Sequence, residues 1–163
     1  MSHAIVPGSF DPMTLGHFDL IARVAAKYDR VTVAVMVNDA KQYRFDMDTR
    51  VEIARATLAS LANVEVISDR GMLIDLYDRI GADAVCKGYR NEQDLAYEQE
   101  MAEWNAAHNP RFRTELLPSE GDRKTLSSTE VRGLLDCGAS LADAVHPNAI
   151  PMILDWEEKR KRV

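Results

Sequence analysis

Cysteines and long apolar runs are scarce in this sequence. Among its 163 residues only Cys86 and Cys137 are cysteines, and neither belongs to a CxxC pair or a His/Cys cluster. A zinc site and a disulfide are therefore not expected, and we predict two reduced, buried thiols. The apolar runs are short and interrupted by charges, so no membrane span is predicted. The N-terminus also lacks the features of a signal peptide, and we expect a cytoplasmic protein.

An excess of positive charge is also absent. The chain has 20 Lys and Arg residues against 26 Asp and Glu residues, a formal net charge of −6. Proteins that bind polymeric nucleic acid neutralise many phosphates with Lys and Arg, so we expect no nucleic-acid partner. A small anionic ligand is compatible with this charge, because a few cations in a cleft suffice to bind it. The single basic run, Lys159 to Arg162, is interpreted as a solvated last turn of a helix.

The length of the chain is that of one domain. With 46% apolar residues it can bury a full core, but it is too short for two ordinary enzyme domains. It contains no internal repeat, low-complexity segment or linker. We therefore predict a single domain over residues 1–163.

Strand-like and helix-like apolar patterns alternate along the chain. Strands are predicted over residues 4–6, 31–37, 64–67, 83–87 and 112–117. Helices are predicted over residues 18–28, 46–61, 72–80, 92–108, 127–137 and 150–161. The β-branched run at 31–37 is typical of a strand buried on both faces, which favours a parallel sheet. The order predicts an α/β fold with a doubly wound, five-stranded parallel sheet and C-terminal helices, whose ligand site lies at the carboxyl ends of the strands.

The segment PGSFDPMTLGH, residues 7–17, follows the first predicted strand. It contains neither the GxxxxGK[ST] nor the GxGxxG pattern. Gly8 and Gly16 would let the backbone approach a ligand closely, and a helix that begins near Gly16 would direct free N–H groups to the same place. The side chains that can donate to phosphate oxygens are Ser9, Thr14 and His17. The segment predicts a phosphate site with one imidazole; the alternative is a plain turn with a capping threonine and a surface histidine. Asp11 and Pro12 are interpreted as turn formers.

Polar loops follow three further strands. Residues 38–41, 87–90 and 119–129 each bring cations or hydroxyl groups, which are the groups that a polyphosphate needs. Because the carboxyl ends of parallel strands meet at one edge of a sheet, these loops are expected to share a cleft with residues 7–17. Each loop taken alone could be a solvated surface loop.

Four segments together resemble the bacterial phosphopantetheine adenylyltransferases of the nucleotidylyltransferase superfamily, whose signature is T/HxGH. These segments are GSFDPMTLGH, Lys41 before Phe45, KGYRNEQDLAYE at 87–98 and LSSTEVR at 126–132. The likeness covers essentially the whole chain. It implies a Rossmann-like sheet and the transfer of AMP from ATP to 4′-phosphopantetheine, with dephospho-coenzyme A and pyrophosphate as products of this step in coenzyme A synthesis. It also implies Mg²⁺ that arrives with ATP, a cytoplasmic homohexamer and feedback inhibition by coenzyme A.

The resemblance also implies roles for individual residues. The catalytic residues that it implies are His17, Lys41 and Arg90. Phosphopantetheine would be bound by Ser9, Lys41, Leu73 and Lys87. ATP would be bound by Ser9, Phe10, His17, Gly88, Tyr89, Arg90, Glu98, Arg123, Lys124, Thr125, Leu126, Ser127, Ser128 and Thr129. His17 would stabilise the α-phosphoryl group during direct in-line attack, without a covalent enzyme intermediate.

Two positions depart from the family pattern. Lys87 stands where the family most often has Arg, which keeps the charge but loses bidentate geometry. Arg123 stands where the family commonly has an aromatic residue. Glu98 has a second interpretation as a solvated residue on a helix face with other acids. Two other functions are also compatible with the sequence: a small nucleotidylyltransferase that acts on nicotinamide mononucleotide or glycerol 3-phosphate, and a non-catalytic protein that binds adenylates or coenzyme A.

Overall fold

A computed structural model describes residues 1–162, and Val163, the last residue of the predicted domain, lies outside the described residues. Strands and helices alternate as predicted. The strands are β1 (His3–Gly8), β2 (Arg30–Met36), β3 (Val64–Asp69), β4 (Ala84–Tyr89) and β5 (Thr114–Pro118). The α-helices are α1 (Leu15–Lys27), α2 (Met47–Leu58), α3 (Leu73–Arg79), α4 (Glu92–His108), α5 (Ser128–Asp136) and α6 (Ile150–Lys161).

All five strands form one parallel sheet in the order β3-β2-β1-β4-β5. The predicted doubly wound α/β fold is therefore confirmed. The winding reverses between β1 and β4, which pair only where Ala4 faces Ala84 and Ile5 faces Val85. Beyond these pairs the two strands separate towards their carboxyl ends, and such a crevice is where open α/β sheets bind ligands.

Apolar residues cover both faces of the sheet. The larger core cluster contains Val31, Val33 and Val35 of β2, and it includes residues of α1, α2, α5 and α6, namely Ile21, Val24, Ile53, Ala54, Val131 and Ile153. The second cluster contains Ile5 and Ala34 together with Leu76, Tyr77 and Phe112. Because successive residues of a strand point to opposite faces, a strand covered on both sides needs a nearly continuous apolar run. This explains the composition of β2.

Polar side chains cap the N-termini of α1, α2 and α5. The hydroxyl oxygen of Thr14 accepts the N–H of His17 at the start of α1, and Ser127 caps α5 in the same way. Asp46 caps α2, which was one of two predicted choices, and α2 ends at Leu58, before the predicted end at Leu61. Each capping oxygen satisfies an N–H group that has no partner within the helix.

Two local predictions are wrong. Cys86 is buried, but Cys137 is exposed because it directly follows the last residue of α5 at the surface. Phe112 was predicted to open the fifth strand, yet its N–H donates to the carbonyl oxygen of Asn109 in a turn. The ring of Phe112 is nevertheless buried against Tyr77, with ring centroids 4.6 Å apart. An apolar residue can thus be part of the core without being part of the strand.

No helix in the described part of the chain combines the length and the apolar composition that are needed to cross a membrane.

Candidate active site

A cavity of about 470 Å³ opens at the carboxyl ends of β1 and β4. Its walls contain residues of the 7–17 segment and of all three polar loops, so the structure brings together the segments that were expected to share a cleft. Thirteen of the predicted site residues line it: Ser9, Phe10, His17, Lys41, Lys87, Gly88, Arg90, Glu98, Arg123, Leu126, Ser127, Ser128 and Thr129. Tyr89, Lys124 and Thr125 lie outside this lining, and Leu73 lies in a second cavity.

His17 is held by the first turn of its own helix. The N–H of Thr14 donates to Nδ1 of His17 at 2.9 Å, and the N–H of His17 donates to the Thr14 hydroxyl oxygen at 3.2 Å. This is a capping box in which histidine takes the place of the usual Glu or Gln. Thr14 is thus a helix cap, as the plain-turn alternative held, but the same cap orients the imidazole. Because Nδ1 accepts a hydrogen bond, the neutral ring carries its proton on Nε2.

The surroundings of His17 favour the neutral imidazole. Burial, and to a smaller extent the positive charge of Arg90, lower the pKa of His17 to about 4. The ring also packs edge-on against Phe10, with centroids 5.0 Å apart. At neutral pH the side chain can therefore donate one hydrogen bond from Nε2 to a ligand oxygen, but it carries no charge that would attract a phosphate.

The two glycines of the segment are explained by contacts within the protein. A Cβ atom on Gly8 would lie 2.7 Å from the ring of Phe10. A Cβ atom on Gly16 would lie 3.3 Å from the carbonyl oxygens of Arg123 and Leu126. Gly8 thus leaves room for the ring of Phe10, and Gly16 leaves room for the 119–129 loop.

The start of α1 is also less available to a phosphate than predicted. The N–H of Leu15 donates to the carbonyl oxygen of Ala144 at 2.9 Å, and the N–H of His17 donates to Thr14. Two of the first N–H groups of α1 therefore have partners inside the protein. What this helix terminus directs into the cavity is chiefly the His17 side chain.

Buried polar groups join the 7–17 segment to the loop that carries Lys41. The Asp11 carboxylate accepts the N–H groups of Arg44 and Phe45, both at 2.9 Å. Arg50 of α2, fully buried, donates to the carbonyl oxygens of Ser9 at 2.8 Å and Phe45 at 3.2 Å. Asp11 lies in a turn, as interpreted, but its carboxylate joins that turn to a remote loop. The role of Arg50 was not anticipated.

Three of the predicted cations of the cavity have carboxylate partners. The ammonium of Lys87 lies 2.7 Å from Oε2 of Glu98. Arg90 Nε lies 3.2 Å from Asp94, and Arg123 Nη1 lies 2.9 Å from Asp19.

The Glu98 side chain is only 13% exposed, so its interpretation as a solvated face residue is wrong. Asp94 could have been found from its i, i+4 spacing to Arg90. Asp19 had no such signal, because its partner is remote in the sequence.

The hydroxyl groups at the start of α5 are not equivalent. Ser127 Oγ accepts a helix N–H at 3.2 Å, and Thr129 Oγ1 accepts from Arg132 at 3.0 Å, so both retain a proton that a ligand oxygen could accept. Ser128 Oγ already donates to the carbonyl oxygen of Pro12 at 2.8 Å. Arg132, for which no role was predicted, also lines the cavity and donates to the Asp11 carbonyl oxygen.

A second cavity of about 450 Å³ adjoins the first. Its lining is mainly apolar and includes Leu73, Val85, Met101, Trp104 and Phe112. Lys87 and Glu98 line both cavities, so their ion pair stands where the two meet. Residues 1–162 contain no group of three or more His, Cys, Asp or Glu side chains arranged to hold a metal ion.

Comparison with known proteins shows the family of this chain. The family model described as Cytidylyltransferase-like matches residues 5–134. A protein of Limosilactobacillus fermentum is 37% identical over 161 residues, which cover 99% of this chain and 93% of that protein. A protein of Arthrobacter sp. is 39% identical over 158 residues, which cover 96% and 99%. Both are named phosphopantetheine adenylyltransferase. The chain belongs to the phosphopantetheine adenylyltransferases of the cytidylyltransferase-like family.

A solved structure extends the comparison of this adenylyltransferase to the fold. It is a Vibrio parahaemolyticus protein provisionally described as a nicotinate-nucleotide adenylyltransferase, and it matches with a TM-score of 0.75 over 97% of each chain. At 19% sequence identity this likeness concerns the fold alone. The family model ends at residue 134, within α5, so α6 of this adenylyltransferase lies outside the matched region.

Proposed function

We propose that the protein transfers AMP from MgATP to 4′-phosphopantetheine, with dephospho-coenzyme A and pyrophosphate as products. The observation that carries the proposal is the neutral His17 imidazole, held by the Thr14 N–H in the same cavity as Lys87 and Arg90. The names of the relatives support the choice of phosphopantetheine as the acceptor.

The chemistry needs alignment and stabilisation of charge more than a strong base. An oxygen of the acceptor phosphate attacks the α-phosphorus of ATP and forms a new P–O bond. The bond from the α-phosphorus to the oxygen that bridges it to the β-phosphorus breaks, and its electron pair leaves with pyrophosphate. The attacking phosphate is already ionised at neutral pH. His17 donates Nε2–H to an α-phosphate oxygen as negative charge develops there, which is stabilisation by a preorganised donor.

The first cavity positions the nucleotide. Arg90 and the hydroxyl groups of Ser127 and Thr129 bind the β- and γ-phosphates, because charged and hydroxyl donors suit phosphate oxygens. Mg²⁺ enters as part of the substrate MgATP, since it is commonly bound through nucleotide phosphates. The adenosine side of the cavity is formed by Phe10, Gly88 and Arg123.

The acceptor extends from the first cavity into the second. Lys41 and Lys87 bind its phosphate, and the pantetheine arm passes Leu73 into the second, mainly apolar cavity. Lys87 belongs to both cavities, which supports the placement of the phosphate at their junction.

A homohexameric assembly, inhibition by coenzyme A and a cytoplasmic location complete the proposal. These three rest on the family resemblance, and light scattering, coenzyme A titration and cell fractionation test them in turn.

The test of the reaction is a two-substrate assay. Purified protein is incubated with MgATP and 4′-phosphopantetheine, and pyrophosphate release and dephospho-coenzyme A formation are measured together. We expect both products in equal amounts. Nicotinamide mononucleotide and glycerol 3-phosphate replace the acceptor, and CTP replaces ATP, in parallel reactions. Turnover only with one of these alternatives would contradict the proposed acceptor, and binding of ATP without pyrophosphate release would indicate a non-catalytic protein.

A further inference from the structure

Arg44 lies at the end of the loop that carries Lys41, and three separate segments bind it. Its guanidinium donates to both carboxylate oxygens of Glu157, at 3.0 Å from Nε and 2.5 Å from Nη2, and to Asp136 at 2.7 Å. Its backbone N–H donates to Asp11, and its carbonyl oxygen accepts the indole N–H of Trp156 at 2.9 Å. The 7–17 segment, the end of α5 and α6 are thus joined at one residue.

These contacts differ from ordinary surface ion pairs. The side chains of Arg44 and Glu157 are only 11% and 8% exposed, and their contact is bidentate. The hydrogen bonds that Arg44 donates to Glu157 raise the pKa of the guanidinium and lower the pKa of the carboxyl group. Solvent screens this ion pair poorly, and its two parallel hydrogen bonds fix the orientation of the guanidinium. The pair therefore restrains the position of Arg44.

Lys41 lies three residues before Arg44 in the same loop. Its side chain is exposed and reaches the cavity from a loop, whereas His17 and Lys87 are carried by a helix and a strand. The base of the loop is held through Arg44 and Phe45 and through Arg50, whose guanidinium lies 4.0 Å from the centroid of the Tyr43 ring. A charged group at the tip of a loop is positioned only as well as the base of that loop is fixed.

We propose that Glu157 and Trp156 of α6 are positioning residues that act through Arg44 to place Lys41 at the acceptor phosphate. The proposal rests on the proposed function, because it assumes that Lys41 binds that phosphate. It assigns a role in the site to a helix outside the region that the family model matches. Neither residue lines the cavity, so both act through the loop.

The test compares Glu157→Gln and Trp156→Phe with the wild type. Glu157→Gln removes the negative charge but keeps one acceptor for Arg44, and Trp156→Phe removes the indole donor but keeps a ring against Phe45. Loss of charge-assisted or neutral hydrogen bonds is expected to raise the Kd and KM for phosphopantetheine about tenfold in Glu157→Gln and about threefold in Trp156→Phe. The Kd for ATP, measured by calorimetry, should change less than twofold. Glu158→Gln, an exposed neighbour, is the matched control.

A double-mutant cycle with Lys41→Ala separates positioning from a general loss of structure. If Glu157 acts through Lys41, Glu157→Gln should have no further effect on phosphopantetheine binding once Lys41 is alanine. Additive effects, or equal losses for ATP and phosphopantetheine, would overturn the inference. If Glu157→Gln fails to fold, the same cycle is measured with Trp156→Phe, and its result tests the inference. If wild-type protein binds no phosphopantetheine, or Lys41→Ala binds it normally, the proposed acceptor site is wrong instead.

Discussion

Two histidines, one at each end of β1, both have a lowered pKa but lie in different surroundings. His3 begins the strand, and its Nε2 lies 2.7 Å from the hydroxyl oxygen of Thr32. His17 follows the carboxyl end of the strand and faces the cavity. Burial lowers the pKa of both side chains. A lowered pKa therefore indicates burial in each case, and only the end of the sheet at which a histidine lies distinguishes a structural from a candidate catalytic imidazole.

The same contrast extends to the two ends of the sheet. At the amino end, Arg30, Thr32 and His3 surround Glu65, whose carboxylate accepts from Arg30 at 2.5 Å and from Thr32 at 2.9 Å. At the carboxyl end, Lys87 and Arg90 pair with carboxylates beside an open cavity. We expect substitutions at the carboxyl end to change catalysis and those at the amino end to change stability.

The largest expected effect is that of His17→Ala. Removal of one preorganised donor to a developing oxyanion should lower kcat roughly 10²-fold or more. The variant should retain the fold, because Thr14 can still cap α1 through the backbone N–H of residue 17. Steady-state kinetics with pyrophosphate detection measures the loss, and His108→Ala, at an exposed position on α4, is the control. Near-normal turnover would remove His17 from its proposed role and end the contrast with His3.

Lys87→Ala should have the next largest effect. Loss of a charged hydrogen bond to the acceptor phosphate should raise the KM for phosphopantetheine about tenfold. The KM for ATP should change much less, since Lys87 lies at the junction with the second cavity. Initial rates over a grid of both substrate concentrations give the two values, with Lys159→Ala on α6 as the control. Equal changes in both KM values would show that Lys87 does not bind phosphopantetheine selectively.

At the amino end, His3→Ala should lower stability and leave turnover unchanged. The substitution removes a buried side chain and the donor to the Thr32 oxygen, which should decrease the free energy of unfolding by about 2 kcal/mol. Urea unfolding gives this difference, and kcat is measured on the folded variant. A tenfold loss of kcat with unchanged stability would contradict the assignment of His3 as structural.

A further effect concerns pH. The pKa of His17 is about 4 in the folded protein and about 6.5 in an unfolded chain, so between these values the unfolded chain binds more protons. The free energy of unfolding should therefore fall as the pH decreases from 6.5 towards 4. His17→Ala should show a shallower decrease, and urea unfolding at several pH values tests this.

NMR titration of wild-type His17 should show a neutral ring at pH 6. A ring protonated at that pH would contradict the Nε2-donor role.

Local patterns predicted the fold and the main parts of the site. The boundaries of α4 and α6 were predicted correctly. The position of residues 7–17 between an apolar strand and an amphipathic helix predicted an imidazole at a helix start. Arg50 was not predicted, since a buried arginine in a helix has no periodic signal. The exposure of Cys137 was missed because burial at a helix end depends on what packs there.

The sequence by itself determined the order of the elements and, through parallel pairing, the edge of the sheet at which the site lies. The pairing of Lys87 with Glu98 and of Arg123 with Asp19, and the contact of Arg44 with α6, were decided only by the tertiary structure. Such contacts require polar atoms to lie within about 3 Å of each other, and in most of them the partners are remote in the chain. Periodicity places residues on a face but does not encode these distances. The position of residues 7–17 at the cavity was therefore readable from the sequence, whereas the contacts that fix the loop of Lys41 beside it were not.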